Sequence, residues 1–427
     1  MKIITLVFLQ FILLLAINAT VVSAKTTILQ PDAYVDVASG KVIKNRWVVV
    51  EDNTITGIVA KGSIKISSDV EVIDLAGKTL LPGVMDMHVH LTNDAADNFL
   101  LRRGYSLPRK TVKAVKNAEI TLMAGFTTVR NLGGPGYAVI AVRDSINSGD
   151  VPGPRIWAAG HSVGITGGHC DDNFSPPEMK VKSPAVADGP WEVRSKVREQ
   201  IKYGANTIKV CATGGVFSKG TKVGIQQLTE QEIRAAVEEA HMRGLIIAAH
   251  AHGTEGIKAA IRAGVDSVEH CSFMDEESIK LAVKNGTFLS CDIYNTEYTL
   301  AFGEANGVPE GNINKEKQVS KAQRDSFRRA TKAGAKMVFG SDAAIYPHGD
   351  NGKQFSRMVQ FGMTPLQALQ AATINSAQLL KQDKQLGQIK EGFLADIIAV
   401  NGDPIKDINL MENVSFVMKD GTVYKNN

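Results

Sequence analysis

His88 and His90 stand two residues apart in the apolar run LPGVMDMHVHL, a spacing that turns both imidazoles to one side of a strand. Two inward imidazoles in such a run are costly to bury without a partner, and their neutral nitrogens together suit one metal ion. Further along, single polar residues close other apolar runs: Lys209 in TIKVCATGG, His250 in LIIAAHAHG, His270 in SVEHCSF and Asp342 in MVFGSDAA. Each has an ordinary reading when taken alone. A histidine is satisfied by a neighbour, Lys209 is a surface lysine, and Asp342 caps a following helix. The apolar flanks Ile208 and Val210 weaken the surface reading of Lys209, because a cation there is buried. In a chain with nine histidines, their recurrence at the ends of separate runs makes coincidence a poor account.

Other polar residues are weaker candidates, for which a structural hydrogen bond competes with substrate contact. His252 shares a face with His250 and so reaches the same strand end. His161 and His169 flank SVGITGGH, a glycine-rich loop whose backbone N–H groups could cradle a carboxylate. Tyr294, in CDIYN, offers a hydroxyl, and His348 either braces its loop or touches substrate. Arg130 is expected to tie strands together through Glu269 or Asp86, and His241, on a helix, to face solvent.

Eight apolar runs could position these groups: LPGVMDMHVHL, FTTVRNLGG, RIWAAG, TIKVCATGG, LIIAAHAHG, SVEHCSF, FLSCDIYN and MVFGSDAA. Segments of helical period, such as TEQEIRAAVEEAHMRG, lie between or after them, which is the signature of parallel βα units. Eight such units close into a barrel more readily than they form an open sheet, and a barrel brings every strand C-terminus to one mouth. The expected fold is α/β, a (β/α)8 TIM barrel over residues 81–384. Residues 25–80 and 385–427 share a short, turn-punctuated β pattern and are expected to pair as one small β-sandwich domain. The Pro-, Gly- and Asp-rich stretch GHCDDNFSPPEMKVKSPAVADGP reads as a functional loop over the mouth.

Forty-eight basic and 44 acidic residues are interspersed, with a net charge of +4 and no like-charged block, so no nucleic-acid partner is expected. At the start, Lys2 precedes a long apolar run that ends in small residues, with Val22 and Ala24 where a signal peptidase reads. Residues 1–24 are therefore expected to be a signal peptide, with export to the periplasm or exterior and no stable membrane insertion after cleavage. Four widely spaced cysteines do not form a disulfide scaffold, and Cys211, Cys271 and Cys291 read as small packing residues.

The runs LPGVMDMHVHL, TIKVCATGG, AAHAHG, VEHCSF and GSDAA, in that order, resemble the metal-binding strand ends of the amidohydrolase superfamily. TTVRNLGG, TGGHCD, DIYNT and PHGDNGKQF resemble more closely its dipeptidase branch of Xaa-Pro dipeptidases and Xaa-Arg/Lys carboxypeptidases, with imidazolonepropionases and mycotoxin amidases of similar build. The resemblance implies two divalent metal ions, zinc before manganese, cobalt or iron. It makes His88, His90 and Asp342 ligands of one ion and His250 and His270 ligands of the other, with Lys209 as bridge.

An ammonium beside two dications is repelled by roughly 4 kcal/mol per pair at an effective dielectric near 20. The resemblance answers this with carboxylation of Lys209 by CO₂. Ions about 3.5 to 4 Å apart then share a hydroxide and polarise the scissile carbonyl, while Asp342 relays the proton to the leaving nitrogen. His252 becomes a substrate contact. The implied substrate is a short peptide or N-acyl amino acid that loses a C-terminal residue, Arg/Lys or Pro, and Asp292 or Asp350 could read a basic one. Cyclic amides are the alternative, a non-catalytic ligand-binding barrel a minor one, and a symmetric homo-oligomer is expected.

Overall fold

Strong β patterning at the amino end produces β1 (Thr26–Asp36), β2 (Lys41–Lys44), β3 (Arg46–Glu51), β4 (Thr54–Ala60) and β5 (Glu71–Pro82). The eight central runs follow as β6 (Val84–Val89), β7 (Phe126–Asn131), β8 (Arg155–Ala158), β9 (Thr207–Cys211), β10 (Ile246–Ala251), β11 (Ser267–His270), β12 (Phe288–Ser290) and β13 (Met337–Val338). The chain closes with β14 (Ile397–Asn401), β15 (Phe416–Lys419) and β16 (Thr422–Asn426). This computed structural model describes residues 25–68 and 70–427; the expected signal peptide, residues 1–24, lies outside the described residues. Among the described residues no helix is long and apolar enough to cross a membrane.

Strands from both chain ends pair in one continuous eight-stranded sheet, ordered β16-β15-β14-β5-β1-β3-β4 with β2 on β1. Its core packs Leu29, Val48, Leu75, Leu80, Ile397 and Phe416. Strand β5 pairs with β1 from Glu71 to Leu80 and with β14 from Lys78 to Pro82, then runs into β6 across Gly83. A side chain at Gly83 would meet Thr127 Oγ1 at 2.2 Å, so only glycine lets the sheet approach the central strands this closely.

The central strands are parallel and form two hydrogen-bonded sets, β6-β7-β8 and β9-β10-β11-β12-β13. Strands β6, β7, β9 and β10 are buried along their whole length, as parallel strands covered by helices must be. Backbone bonds join the sets at both edges. Met87 N–H donates to Phe339 O at 2.8 Å and Asp342 N–H to His88 O at 2.7 Å, while Val163 N–H donates to Lys209 O at 2.8 Å.

Helices separate the strands: α1 (Leu107–Met123), α2 (Ala138–Asn147), α3 (Pro190–Lys202), α4 (Glu230–Met242), α5 (Thr254–Ala263) and α6 (Glu276–Asn285). After β12 come α7 (Asn295–Phe302) and α8 (Glu310–Lys332). Start signals are local. Thr229 and Glu232 form a reciprocal capping box on α4, and the Asp275 side chain accepts from Ser278 N at the head of α6.

One expectation is corrected here. Cys211 is not a lone packing residue but is disulfide-bonded to Cys170, whereas Cys271 and Cys291 are free and buried. The long loop after β8 runs beside β9, with Val163 bonded to both Lys209 and Cys211, and this brings Cys170 within a Cα–Cα distance of 6.1 Å.

Candidate active site

Each of these polar residues sits within or shortly after a parallel strand, and the groups meet at one end of the strand sets. His88, His90, Lys209, His250, His270 and Asp342 all line one cavity of about 410 Å³. His88 and His90 rings lie 5.3 Å apart, His88 and His270 5.1 Å, and His250 and His270 4.6 Å. Two of the residues turn out of their strands in the left-handed region, His270 at φ 71° and Asp342 at φ 54°. Such a conformation costs about 1–3 kcal/mol in a non-glycine residue and persists where the surroundings over-determine it.

Behind the rings, acceptors fix which nitrogen faces the cavity. His90 Nδ1–H donates to Gly133 O at 3.1 Å, His88 Nδ1–H to Glu269 at 3.1 Å and His270 Nδ1–H to Asp292 at 2.9 Å. Glu269 is fully buried and also takes Arg130 Nη2 at 2.7 Å, while the other guanidinium nitrogens bind Met87 O and Ser267. Arg130 therefore ties strands through Glu269, as its sequence setting implied.

The electrostatics follow from burial. Desolvation pushes the imidazoles of His88 and His250 well down and that of His90 to about 4, so these rings are neutral. Burial also lowers Lys209 to about 8 and raises Asp342 to about 7. His270 is the exception, because the adjacent Asp292 outweighs its desolvation and raises it. In Glu269 too desolvation is outweighed, by Arg130 and then His88, which hold its carboxyl well below the usual range.

A neutral imidazole that donates through Nδ1 has a bare lone pair at Nε2. His90 Nε2 lies 3.3 Å and His88 Nε2 3.5 Å from the same oxygen, Asp342 Oδ1, so acceptors face an acceptor. Asp342 Oδ1 and His250 Nε2 are both buried without a hydrogen-bond partner. That arrangement is repulsive unless a cation lies among the atoms, and it fits a metal ion. Ligand atoms of His88, His90 and Asp342, of His250, His252 and His270, and of His270, Asp292 and Asp342 form three sets, each within 4.8 Å.

Residues 79–424 match the model of the amidohydrolase family. The chain belongs to the amidohydrolase family. It is 30% identical over 434 residues to ochratoxinase from Aspergillus niger, covering 94% of this chain and 87% of that one. A crystal structure of a Xaa-Pro dipeptidase with methionine bound in its active site is 40% identical and superposes with a TM-score of 0.89, covering 94% of this chain and all of that one. A prolidase complexed with N-methylphosphonate-L-proline is 30% identical with a TM-score of 0.86, again over 94% and 100% of the two chains. This amidohydrolase is a hydrolase of carbon–nitrogen bonds, from a family that is generally metal-dependent.

The weaker candidates divide. In the amidohydrolase cavity His252 is held by Ser272 Oγ at 2.7 Å and stacks on His270 with centroids 4.7 Å apart. His169 bonds Ser218 and stacks on His250 at 4.0 Å, over Gly215, where a Cβ would meet His169 Cε1 at 2.4 Å.

His161 and Tyr294, expected to contact substrate, are not among the residues that line this cavity. His161 Nε2 accepts from Gly136 N–H and its ring packs edge-on against Tyr137. Tyr294 is turned onto Tyr346 because the chain enters α7 at once, leaving Asp292 and Asn295 to face inward. His348 braces its loop, bonding Asn93 O at 3.1 Å. Asp350 pairs with Lys353 outside the cavity, and Asp292 is engaged by His270, Asn295 and Gln323.

Four lining residues had no signal in their own stretch of sequence: Arg102, Asn295, Glu316 and Gln323. Their placement depends on the connections after β6 and β12 folding over the strand ends.

Proposed function

We propose that this amidohydrolase is an exported binuclear metal-dependent peptidase that releases the C-terminal residue of a dipeptide or short peptide. The observation that carries the proposal is the convergence of His88 Nε2 and His90 Nε2 on Asp342 Oδ1, three acceptors around one point. His88, His90 and Asp342 would hold one divalent ion, zinc before other metals, and His250 with His270 a second, with Lys209 between them. Bound there, such a pair polarises the scissile carbonyl and lowers the pKa of water from 15.7 toward ~7.

Lys209 is buried and makes no ion pair among the described residues. Its lowered pKa raises the fraction of neutral amine, which adds to CO₂ with loss of one proton to give an anionic carbamate. Asp342 would take a proton during attack and return it to the leaving nitrogen as the C–N bond breaks. Asn295 Nδ2, 3.3 Å from Asp342 Oδ2, orients that carboxylate.

The likeness to a Xaa-Pro dipeptidase and a prolidase supports proline as the leaving residue. Glu316, whose Oε1 accepts from Thr296 at 2.6 Å, supports arginine or lysine, because it is a cavity carboxyl group that makes no ion pair among the described residues. The ochratoxinase likeness favours a second reading, hydrolysis of other N-acyl amino acids. The architecture is a closed (β/α)8 barrel over 81–384 with a β domain from 25–80 and 385–427, supported by the backbone bonds at both edges of the central sheets. Export is supported by Lys2 and its apolar run, and by the Cys170–Cys211 disulfide, which suits an oxidising compartment.

The test is metal analysis of the purified mature chain beside its activity on a dipeptide and N-acyl amino acid library. About two equivalents per chain and release of single C-terminal residues are expected. An active preparation free of metal overturns the proposal.

A further inference from the structure

We propose that Arg102 anchors the free carboxylate of the substrate, an inference that rests on the amide-hydrolase reading above. Arg102 sits on the 3₁₀ turn Leu101–Gly104, in the connection from β6 to α1, and lines the catalytic cavity. The turn is held from below by Asn98, whose Oδ1 accepts the N–H groups of Leu100 and Leu101 at 3.1 Å each.

The guanidinium is itself held in place. Nη1 donates to Asp94 O at 3.1 Å, and Cζ stands 4.9 Å over the Phe99 ring, which packs on Phe217 at 5.8 Å. Among the described residues that is its one side-chain hydrogen bond, and it uses one of five donors. Among the described residues Arg102 makes no ion pair, because the neighbouring carboxylates are engaged elsewhere. Asp97 and Asp94 face Lys113 at 2.7 and 3.9 Å, and Asp172 faces Arg103 at 3.3 Å.

A half-buried cation without a counter-ion is unfavourable in the free protein, and a planar fork with unused donors matches a carboxylate in two-point contact. Lys110 lines the same cavity and adds a second positive charge at this side of it. The cavity also holds Asp342, so a carboxylate on Arg102 belongs to the residue being released rather than to a distant part of a longer chain. The substrate class is then an amide whose leaving amine carries a free α-carboxylate, and C-terminal amides are disfavoured.

The experiment compares Ala-Pro and Ala-Phe with their C-terminal amides, using the metal-loaded full mature chain and its Arg102→Leu and Arg102→Lys variants. Wild type is expected to favour the acids in kcat/KM. Arg102→Leu should cut the acid-to-amide ratio at least tenfold, chiefly through KM of the acids, and Arg102→Lys should fall between. An unchanged ratio in Arg102→Leu, or an equal loss on acids and amides as expected of a bond that only braces the loop, overturns the assignment. If Arg102→Leu does not fold, the ratio in Arg102→Lys decides in the same way. If metal-loaded wild type cleaves neither acids, amides nor N-acyl amino acids, the amide-hydrolase reading itself is overturned.

Discussion

Glu269 faces His88 Nδ1 at 3.1 Å through one oxygen and Arg130 at 2.7 Å through the other, with all three side chains buried. The carboxylate thus fixes an imidazole of the site and neutralises a guanidinium in the core at the same time. Glu269→Gln keeps the shape but leaves Arg130 without its counter-charge. The expected cost is about 3–5 kcal/mol of stability by urea unfolding, with roughly ten- to a hundredfold weaker metal retention on dialysis. Loss of metal with unchanged stability would show that Arg130 finds its compensation elsewhere.

Asp342→Asn tests the proton relay. The amide retains one oxygen donor but cannot accept a proton at neutral pH, so kcat should fall by about 10²–10⁴ while metal content stays near that of wild type. The pair of measurements is steady-state kinetics and elemental analysis of the same preparation. Substantial residual kcat at full metal occupancy would place the relay on another group.

An acid limb of stability is expected from Glu239 on α4, which accepts from Arg198 at 2.9 Å, Arg194 at 3.3 Å and also Arg243. These bonds, that from Arg198 first, lower its carboxyl from 4.5 to about 2 in the folded protein. A depressed acid stabilises the folded state above its unfolded pKa, and that contribution fades as pH falls from about 4.5 toward 2. Glu239→Gln should therefore be less stable than wild type at pH 7, with a gap that narrows steadily below pH ~4.5. A gap that is constant between pH 7 and 3, measured by chemical denaturation, would assign the difference to packing instead of charge.

Reducing Cys170–Cys211 opens a loop of 41 residues and should lower stability by about 3–4 kcal/mol on the chain-entropy account. His169 directly precedes Cys170 and stacks on His250, so kcat/KM should fall as well. The comparison is thermal unfolding and activity with and without a phosphine reductant, with Cys170→Ser plus Cys211→Ser as the matched variant. Identical melting in both states would mean that the loop is held by its backbone bonds to β9 alone.

The sequence by itself determined the ligand-type residues and the strands that bear them. Period-two alternation orients His88 and His90 within a few residues, and apolar runs ending at Lys209, His250, His270 and Asp342 are equally local. That strands of the two chain ends come together was also legible, because both ends carry the same turn-punctuated β texture, whereas their union in one continuous sheet, where a sandwich is expected, was not.

Only the tertiary structure decided what surrounds those residues. His161 and Tyr294 leave the cavity, and Cys170 reaches Cys211, through contacts between segments that no spacing encodes. Arg102, Glu316 and Gln323 enter the cavity from a 3₁₀ turn and a helix whose positions depend on how loops pack across the strand ends. A strand's own alternation fixes which way its side chains point, whereas a loop's course is set by partners far away in the chain. The cluster of metal-type side chains, carried by strands, was therefore readable from the residues alone, and the part of the cavity lining carried by connections was not.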